Sequence, residues 1–409
     1  MKKVFCFLLC LSMMFTTSFK VSGIDRLVKE AEGIAVNIST VQQTSADNLP
    51  VEIHAKSAIL MEGNSGNIVF KKNPHKKVNP ASITKIMTLL LTFEAIEKGK
   101  IKLEDEVVTS AYAKSMGGSQ VFLEEGEKQT VDTMIKCIVV ASGNDASVAM
   151  AEHIAGSEEV FVQMMNEKAS ELGMSNTHFL DCCGLTSDLE HHTTARDVAI
   201  MSKELISKYP QIYNYSKIWM EDITHETNQG SKSFTLSSTN KLLKQYQWTT
   251  GLKTGSTSVA KYCFSATASK DGVDLVAVIM GAPDFKVRFA EAKQLLEYGF
   301  AVTRLYTDKN EEELAPMLVC GGKQEWVKVK PEGEFRYLDV TGADFSQIEK
   351  RYVFLEKLEA PVNQGDEVGS IEFLLQGKKI GNVSILAMEN VEKAIYIDYL
   401  QRVIMRYLL

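Results

Sequence analysis

The chain has 409 residues, enough for two domains with terminal extensions. Its hydrophobic content of 45% and charged content of 24% are those of a globular protein, which excludes both a membrane-embedded chain and a disordered one. Acidic residues outnumber basic ones, 52 to 45, for a net charge of -7, which argues against nucleic acid as a partner.

Lys2 and Lys3 precede an apolar run from Val4 to Phe15 broken only by Ser12, and Ser18, Ser22 and Gly23 follow. A charged start, a short apolar core and small residues predict an export signal over residues 1–23, too short to span a bilayer. No small residue stands immediately before Cys10, which argues against a lipoprotein anchor there. Residues 24–50 are polar and Ser/Thr-rich and read as a leader. Removing the signal takes Cys6 and Cys10 and leaves Cys137, Cys182, Cys183, Cys263 and Cys320. An odd number predicts at least one free thiol or an intermolecular bond, and the adjacent Cys182 and Cys183 are too close for an ordinary bridge. No Cys/His spacing fits a metal site, and the pair His191–His192, with no third ligand, reads as a solvated loop.

A hairpin is predicted over residues 57–70 around the turn Gly63-Asn64-Ser65-Gly66. A helix then opens at Ser82, with Ile83, Ile86, Met87, Leu90 and Leu91 at helical spacing. Helical periodicity recurs over residues 131–140, 146–154, 160–172 and 194–207. Strands return near Lys253 and over 260–268 and 274–281, before a long amphipathic helix over 288–302. A sheet built from both ends of this stretch, with helices inserted between, is an α/β arrangement in two lobes. Past Arg304 the texture changes to short alternating runs, such as 326–329, 352–355, 368–373 and 380–383, which predict a small all-β domain over 315–390. Residues 391–409 read as a helix with Asp398, Arg402 and Arg406 on one face and Ile397, Leu400, Ile404, Tyr407 and Leu408 on the other. Such a helix suits the surface of a membrane, or docking on its own β-domain.

Three short motifs carry chemistry. In Ser82-Ile83-Thr84-Lys85, positions i and i+3 share a helix face, so an amine lies one turn from a hydroxyl. A serine hydroxyl needs a base to become a nucleophile, and a lysine serves when burial or nearby positive charge favours its neutral form. Ser142-Gly143-Asn144, in a break between helices, sets a hydroxyl beside a carboxamide, which suits proton relay and holding a peptide carbonyl. Lys253-Thr254-Gly255, followed by Ser256 and Thr257, places a cation and hydroxyls on a strand whose bare glycine admits a closely lying substrate. Each motif alone is weak, since SxxK recurs by chance on helices and SGN is an ordinary loop. The trio in this order is the signature of β-lactamases and penicillin-binding proteins.

With these motifs the chain resembles the D-alanyl-D-alanine carboxypeptidase family of low-molecular-mass penicillin-binding proteins, and most of all its Gram-positive, spore-former branch. The resemblance rests on Asn79-Pro80-Ala81-Ser82-Ile83-Thr84-Lys85, on Gly118-Ser119 with Phe122-Leu123 and Gly126-Glu127, on Thr193-Thr194-Ala195-Arg196-Asp197, and on residues 251–257 with 260–263. It implies a transpeptidase fold over 51–305, the small β-domain and a membrane-anchoring tail. It also implies an exported enzyme on the outer face of the cytoplasmic membrane, with no cofactor. That enzyme would remove the terminal D-alanine from peptidoglycan stem peptides and be acylated by β-lactams. By the same resemblance Ser82 is the nucleophile and Lys85 its base, while Ser142 and Asn144 relay protons and hold substrate. Lys253, Thr254 and Thr257 lie at the terminal carboxylate. The N–H groups of Ser82 and Ser256 form the oxyanion hole. Arg288 either assists carboxylate binding or makes a structural ion pair.

Two segments depart from the family pattern: Asp181-Cys182-Cys183-Gly184-Leu185, and Thr239, where some members carry a basic residue. Neither departure is expected to touch the trio. A class A β-lactamase is the nearest alternative, but no Glu-x-x-x-Asn context stands between SxN and KTG to position a deacylating water. A sensor that acylates without turnover is the other.

Overall fold

The computed structural model describes residues 52–227, 230–340 and 342–408. The expected signal over 1–23 and leader over 24–50 both lie outside these residues. The chain begins with the hairpin of β1 (Ser57–Glu62) and β2 (Ile68–Lys72). A 3-10 turn at Ala81–Thr84 leads into α1 (Lys85–Glu97). There follow α2 (Val131–Val139), α3 (Asn144–Ala155), α4 (Glu158–Glu171) and α5 (Ala195–Lys208). The chain then returns through β3 (Thr249–Thr257), β4 (Lys261–Lys270) and β5 (Val273–Ala282) to α6 (Phe285–Val302). Side-chain caps fix the helix starts: the hydroxyls of Thr130, Ser157 and Thr194 and the Asp284 carboxylate each accept a first-turn N–H.

The five strands form one antiparallel sheet in the order β2-β1-β5-β4-β3. Both faces are covered, which explains the nearly continuous apolar run of β5. Ile59 and Met61 of β1, with Val276 and Val278 of β5, turn to the core shared with α1 and α5. The alternate residues Ala58, Leu60, Leu275, Ala277 and Ile279 turn to Phe289 and Leu295 of α6. Helix α1 is buried from Lys85 through Ala95, so it runs through the middle of the helical lobe rather than along its surface.

This layout puts β3 at an open edge of the sheet, facing the start of α1. The all-β region has its own core, in which Phe335 and Phe373 stack at 3.8 Å between ring centroids. The strand Arg304–Asp308 pairs with Phe335–Asp339, so this region begins directly after α6.

The terminal helix, α7, spans Tyr396–Leu408, shorter than the stretch expected from residue 391. Val391 is instead buried in the β core and exchanges backbone hydrogen bonds with Val362. The polar side of α7 is docked: Arg402 donates to the carbonyls of Gly322 and Lys323. The other face, with Ile397, Leu400, Val403 and Ile404, is exposed. Among the described residues no helix is long and apolar enough to cross a membrane.

Candidate active site

Ser82 lies in the 3-10 turn, with Lys85 as the first residue of the α-helix proper. The turn is unusual, because Ala81 has a positive φ of 49°. Three groups hold it there. The Asn79 Oδ1 accepts the Ala81 N–H at 3.0 Å, and Thr84 Oγ1 donates to Ala81 O at 2.8 Å. Gly184, at φ +77°, presses so closely that a Cβ there would fall 1.8 Å from Ala81 O. On the other side, a Cβ at Gly255 would stand 2.9 Å from Ile83 N and 3.0 Å from Ser82 N. The bare glycine of the KTG motif is therefore what lets β3 close on the backbone of the Ser82 turn.

Lys85 is fully buried, and its Nζ has three neighbours: Asn144 Oδ1 at 2.6 Å, Cys183 O at 2.7 Å and Ser82 Oγ at 3.2 Å. The Asn144 amide is oriented by its Nδ2 donating to Gly117 O at 2.7 Å, so Oδ1 faces the lysine. An amide oxygen and a carbonyl accept but cannot donate, whereas a serine hydroxyl does both. A neutral amine thus spends its two N–H bonds on Asn144 and Cys183 and aims its lone pair at Ser82 Oγ. Burial holds the Lys85 ammonium below the ordinary lysine value, against the opposing influence of Cys183, Cys182, Asp181 and Asp145.

Ser142 sits at φ 63° just before α3. Its Oγ is 2.9 Å from Lys253 Nζ, which also donates to Thr254 O at 3.1 Å. Lys253 is buried, and its ammonium is held well below the lysine range, first by burial and then by repulsion from Lys85 and Arg288. The three motifs, distant in sequence, meet around Ser82 with two buried amines tuned toward neutrality.

The remaining expected site residues are placed as follows. Thr254 Oγ1 donates to Thr239 Oγ1 at 2.8 Å. Thr257 Oγ1 accepts the Ala260 N–H at 3.0 Å, closing the turn after β3, and Ser256 is exposed beside it. Arg288 is buried, with Nη1 donating to Gly255 O at 3.1 Å and Cys263 O at 3.3 Å and its guanidinium 4.8 Å from the Phe289 ring centroid. Its partners are thus carbonyls of β3 and β4 rather than a carboxylate, so it braces the edge strand from behind.

Both segments that depart from the family pattern touch the trio, against expectation. The Cys183 carbonyl receives Lys85, the Cys182 carbonyl receives Thr88 Oγ1 at 2.5 Å, and Thr239 receives Thr254. The two cysteine contacts run through backbone carbonyls, which residue type does not reveal, whereas Thr239 meets Thr254 hydroxyl to hydroxyl. The histidine pair is likewise corrected at His191. That residue is fully buried, with Nε2 2.9 Å from Thr84 Oγ1 and Nδ1 accepting the Leu180 N–H at 3.0 Å, so it braces the Ser82 turn. Sequence reasoning also missed Asp145, whose carboxylate accepts the N–H groups of Val121 and Leu123 and fastens the loop over Asn144. Among the described residues Cys137, Cys182, Cys183 and Cys263 are buried free thiols, Cys320 is an exposed one, and no acid, histidine and cysteine cluster suited to a metal is present.

The model of the D-alanyl-D-alanine carboxypeptidase family matches residues 40–284, more than half of the chain. The chain belongs to the D-alanyl-D-alanine carboxypeptidase family. A second model, the C-terminal domain of penicillin-binding protein 5, matches residues 303–393, the all-β region of this carboxypeptidase-family chain. D-alanyl-D-alanine carboxypeptidase DacF of Bacillus subtilis is 41% identical over 349 residues, covering 85% of this chain and 88% of its own. Among solved structures, penicillin-binding protein 5 of Haemophilus influenzae is 32% identical with a TM-score of 0.68, covering 84% of this chain and 99% of its own. Penicillin-binding protein 3 of Streptococcus pneumoniae, described as a peptidoglycan synthesis regulatory factor, also superposes at a TM-score of 0.68. It is 26% identical, with coverage of 84% of this chain and 100% of its own. As expected from the sequence, the fold is that of the penicillin-binding transpeptidases, with an all-β region and a terminal helix.

Proposed function

We propose that this family member is a serine D-alanyl-D-alanine carboxypeptidase that acts on peptidoglycan stem peptides through an acyl-enzyme on Ser82. The observation that carries this reading is the aim of the buried Lys85 amine at Ser82 Oγ, with its two other directions taken by acceptors. Lys85 takes the hydroxyl proton as Ser82 attacks the carbonyl of the penultimate D-alanine. The N–H groups of Ser82 and Ser256 face the oxygen that gains charge. The proton reaches the leaving amine through Ser142, whose hydroxyl is polarised by Lys253. The C–N bond breaks, D-alanine departs, and water attacking the Ser82 ester returns the enzyme. A β-lactam enters by the same attack, its ring C–N bond breaking to leave an acyl ester on Ser82.

In this reading Asn144 orients both Lys85 and the peptide, and Lys253 and Thr254 receive the terminal carboxylate. Thr257, expected there from the sequence, lies farther along β3 with its Oγ1 accepting the Ala260 N–H. Arg288 supports the same end of β3 by fixing Gly255 and Cys263 from behind. The exposed apolar face of α7 supports attachment at the outer surface of the cytoplasmic membrane after export. The test is release of free D-alanine in steady state from a pentapeptide by the purified chain. Sustained turnover is expected; a single stoichiometric acylation without D-alanine release would make the protein a sensor rather than an enzyme.

A further inference from the structure

Beyond Thr257 the edge of β3 opens into a second groove that the reaction described above does not use. It is lined by Lys56, by residues 76–79, by Leu189, Glu190 and His192, and by Val259 and Ala260 in the turn that follows β3. Asn79, three residues before Ser82, ties these parts together. Its Nδ2 donates to the carbonyls of Thr186 at 3.2 Å and His191 at 3.4 Å, while its Oδ1 holds Ala81. The groove is therefore rigidly registered to the nucleophile.

Its lining has a distinct character. Lys56, Lys76 and Lys77 contribute three ammonium groups against one carboxylate, that of Glu190, in a chain whose net charge is -7. Among the described residues none of these three lysines is ion-paired. Beside them Leu189 is 77% exposed and Val259 is 41% exposed. Unpaired cations next to bare aliphatic surface match a ligand with a carboxylate on a short apolar stem.

Position sets which part of a ligand arrives there. If the terminal carboxylate lies at the Lys253 and Thr254 end of β3, the acyl portion of the peptide must run the other way, past Thr257 toward Val259. Resting on the reading of Ser82 as nucleophile, we propose that this groove is a subsite for an acidic segment of the acyl donor, N-terminal to the scissile D-Ala-D-Ala bond. The segment's carboxylate lies against Lys76, Lys77 and Lys56, and its aliphatic part covers Leu189 and Val259.

The experiment compares two acetylated peptides ending in D-Ala-D-Ala that differ only in glutamate or glutamine upstream of the scissile bond, using the full chain. The acidic peptide is expected to show a kcat/KM about fivefold higher at low salt, the advantage shrinking as salt is added. The double variant Lys76→Gln, Lys77→Gln should lose that preference while matching the parent on the neutral peptide and in acylation by benzylpenicillin. Equal rates for the two peptides, or a preference that survives the double variant, would overturn the subsite alone. No hydrolysis of either peptide by protein that still binds penicillin would overturn the carboxypeptidase reading and the subsite with it.

Discussion

Lys85 and Asn144 are joined by a 2.6 Å hydrogen bond from the first residue of α1 to the first residue of α3. With that contact and the Cys183 carbonyl as acceptors, a neutral Lys85 amine has its lone pair left for Ser82 Oγ, and in the proposed mechanism acylation depends on that neutral form. Burial lowers the Lys85 value below the ordinary 10.5. The rate of acylation by benzylpenicillin should therefore rise with pH through a value below the usual lysine range and then level. Stability follows the same sign. Because Lys85 and Lys253 bind protons less tightly when folded, the unfolded chain holds more protons between their lowered values and 10.5. Stability gains from these groups as pH rises through that window. Lys253→Met should thus raise thermal stability, by about 1 kcal/mol or more, while cutting acylation about 100-fold. A loss of both together would show that the Lys253 ammonium is a structural support.

Gly255 offers a steric test. A Cβ there meets the backbone N of Ile83 at 2.9 Å and of Ser82 at 3.0 Å, and neither is a flexible side-chain end that can yield. Gly255→Ala should push β3 from the Ser82 turn and lower the acylation rate by about 100-fold with the fold retained. Stopped-flow acylation with circular dichroism reads both. A variant of parental rate would mean that the close approach of strand and turn is dispensable.

The trio was legible because its spacing encodes geometry: i and i+3 at a helix start, a break before a helix, and a strand, although KTG falls at the fifth to seventh of the nine residues of β3 rather than at its head. The sheet and helices were legible because β5 is apolar over residues 275–280 and α1 carries Ile86, Met87, Leu89, Leu90, Leu91 and Phe93, as elements covered on all sides favour. What escaped was carried by backbone atoms or by tertiary burial. The Cys183 carbonyl has no signature in a residue name, and His191 reads as a loop residue until Thr84 is seen against it. Arg288 was ambiguous for the same reason, since its partners are carbonyls 33 and 25 positions away in sequence.

The tail predicts a separation of binding from catalysis. Deleting residues 396–409 removes the exposed face formed by Ile397, Leu400, Val403 and Ile404 and leaves the β core with Val391 intact. The truncated chain should no longer sediment with vesicles of mixed zwitterionic and anionic lipid, with kcat on short peptides unchanged. Retained sedimentation would place the attachment elsewhere in the chain.

Substrate direction is tested at the carboxylate. A tripeptide ending in D-Ala-D-Ala should be cleaved with a kcat/KM at least about 100-fold above that of its C-terminal amide. A site built around Lys253 and the Thr254 hydroxyl leaves those donors unpaired when the charge is removed. Similar values for the two would indicate an endopeptidase-like groove, with Lys253 serving the proton relay alone.

The central claim is that Ser82 carries the acyl group, and its most direct test is the location of a covalent adduct. The full chain is incubated with benzylpenicillin, digested and mapped by tandem mass spectrometry. One adduct per chain on Ser82 is predicted, absent from a Ser82→Ala variant with the parental circular dichroism spectrum. An adduct on another residue, or undiminished labelling of folded Ser82→Ala, would contradict the account.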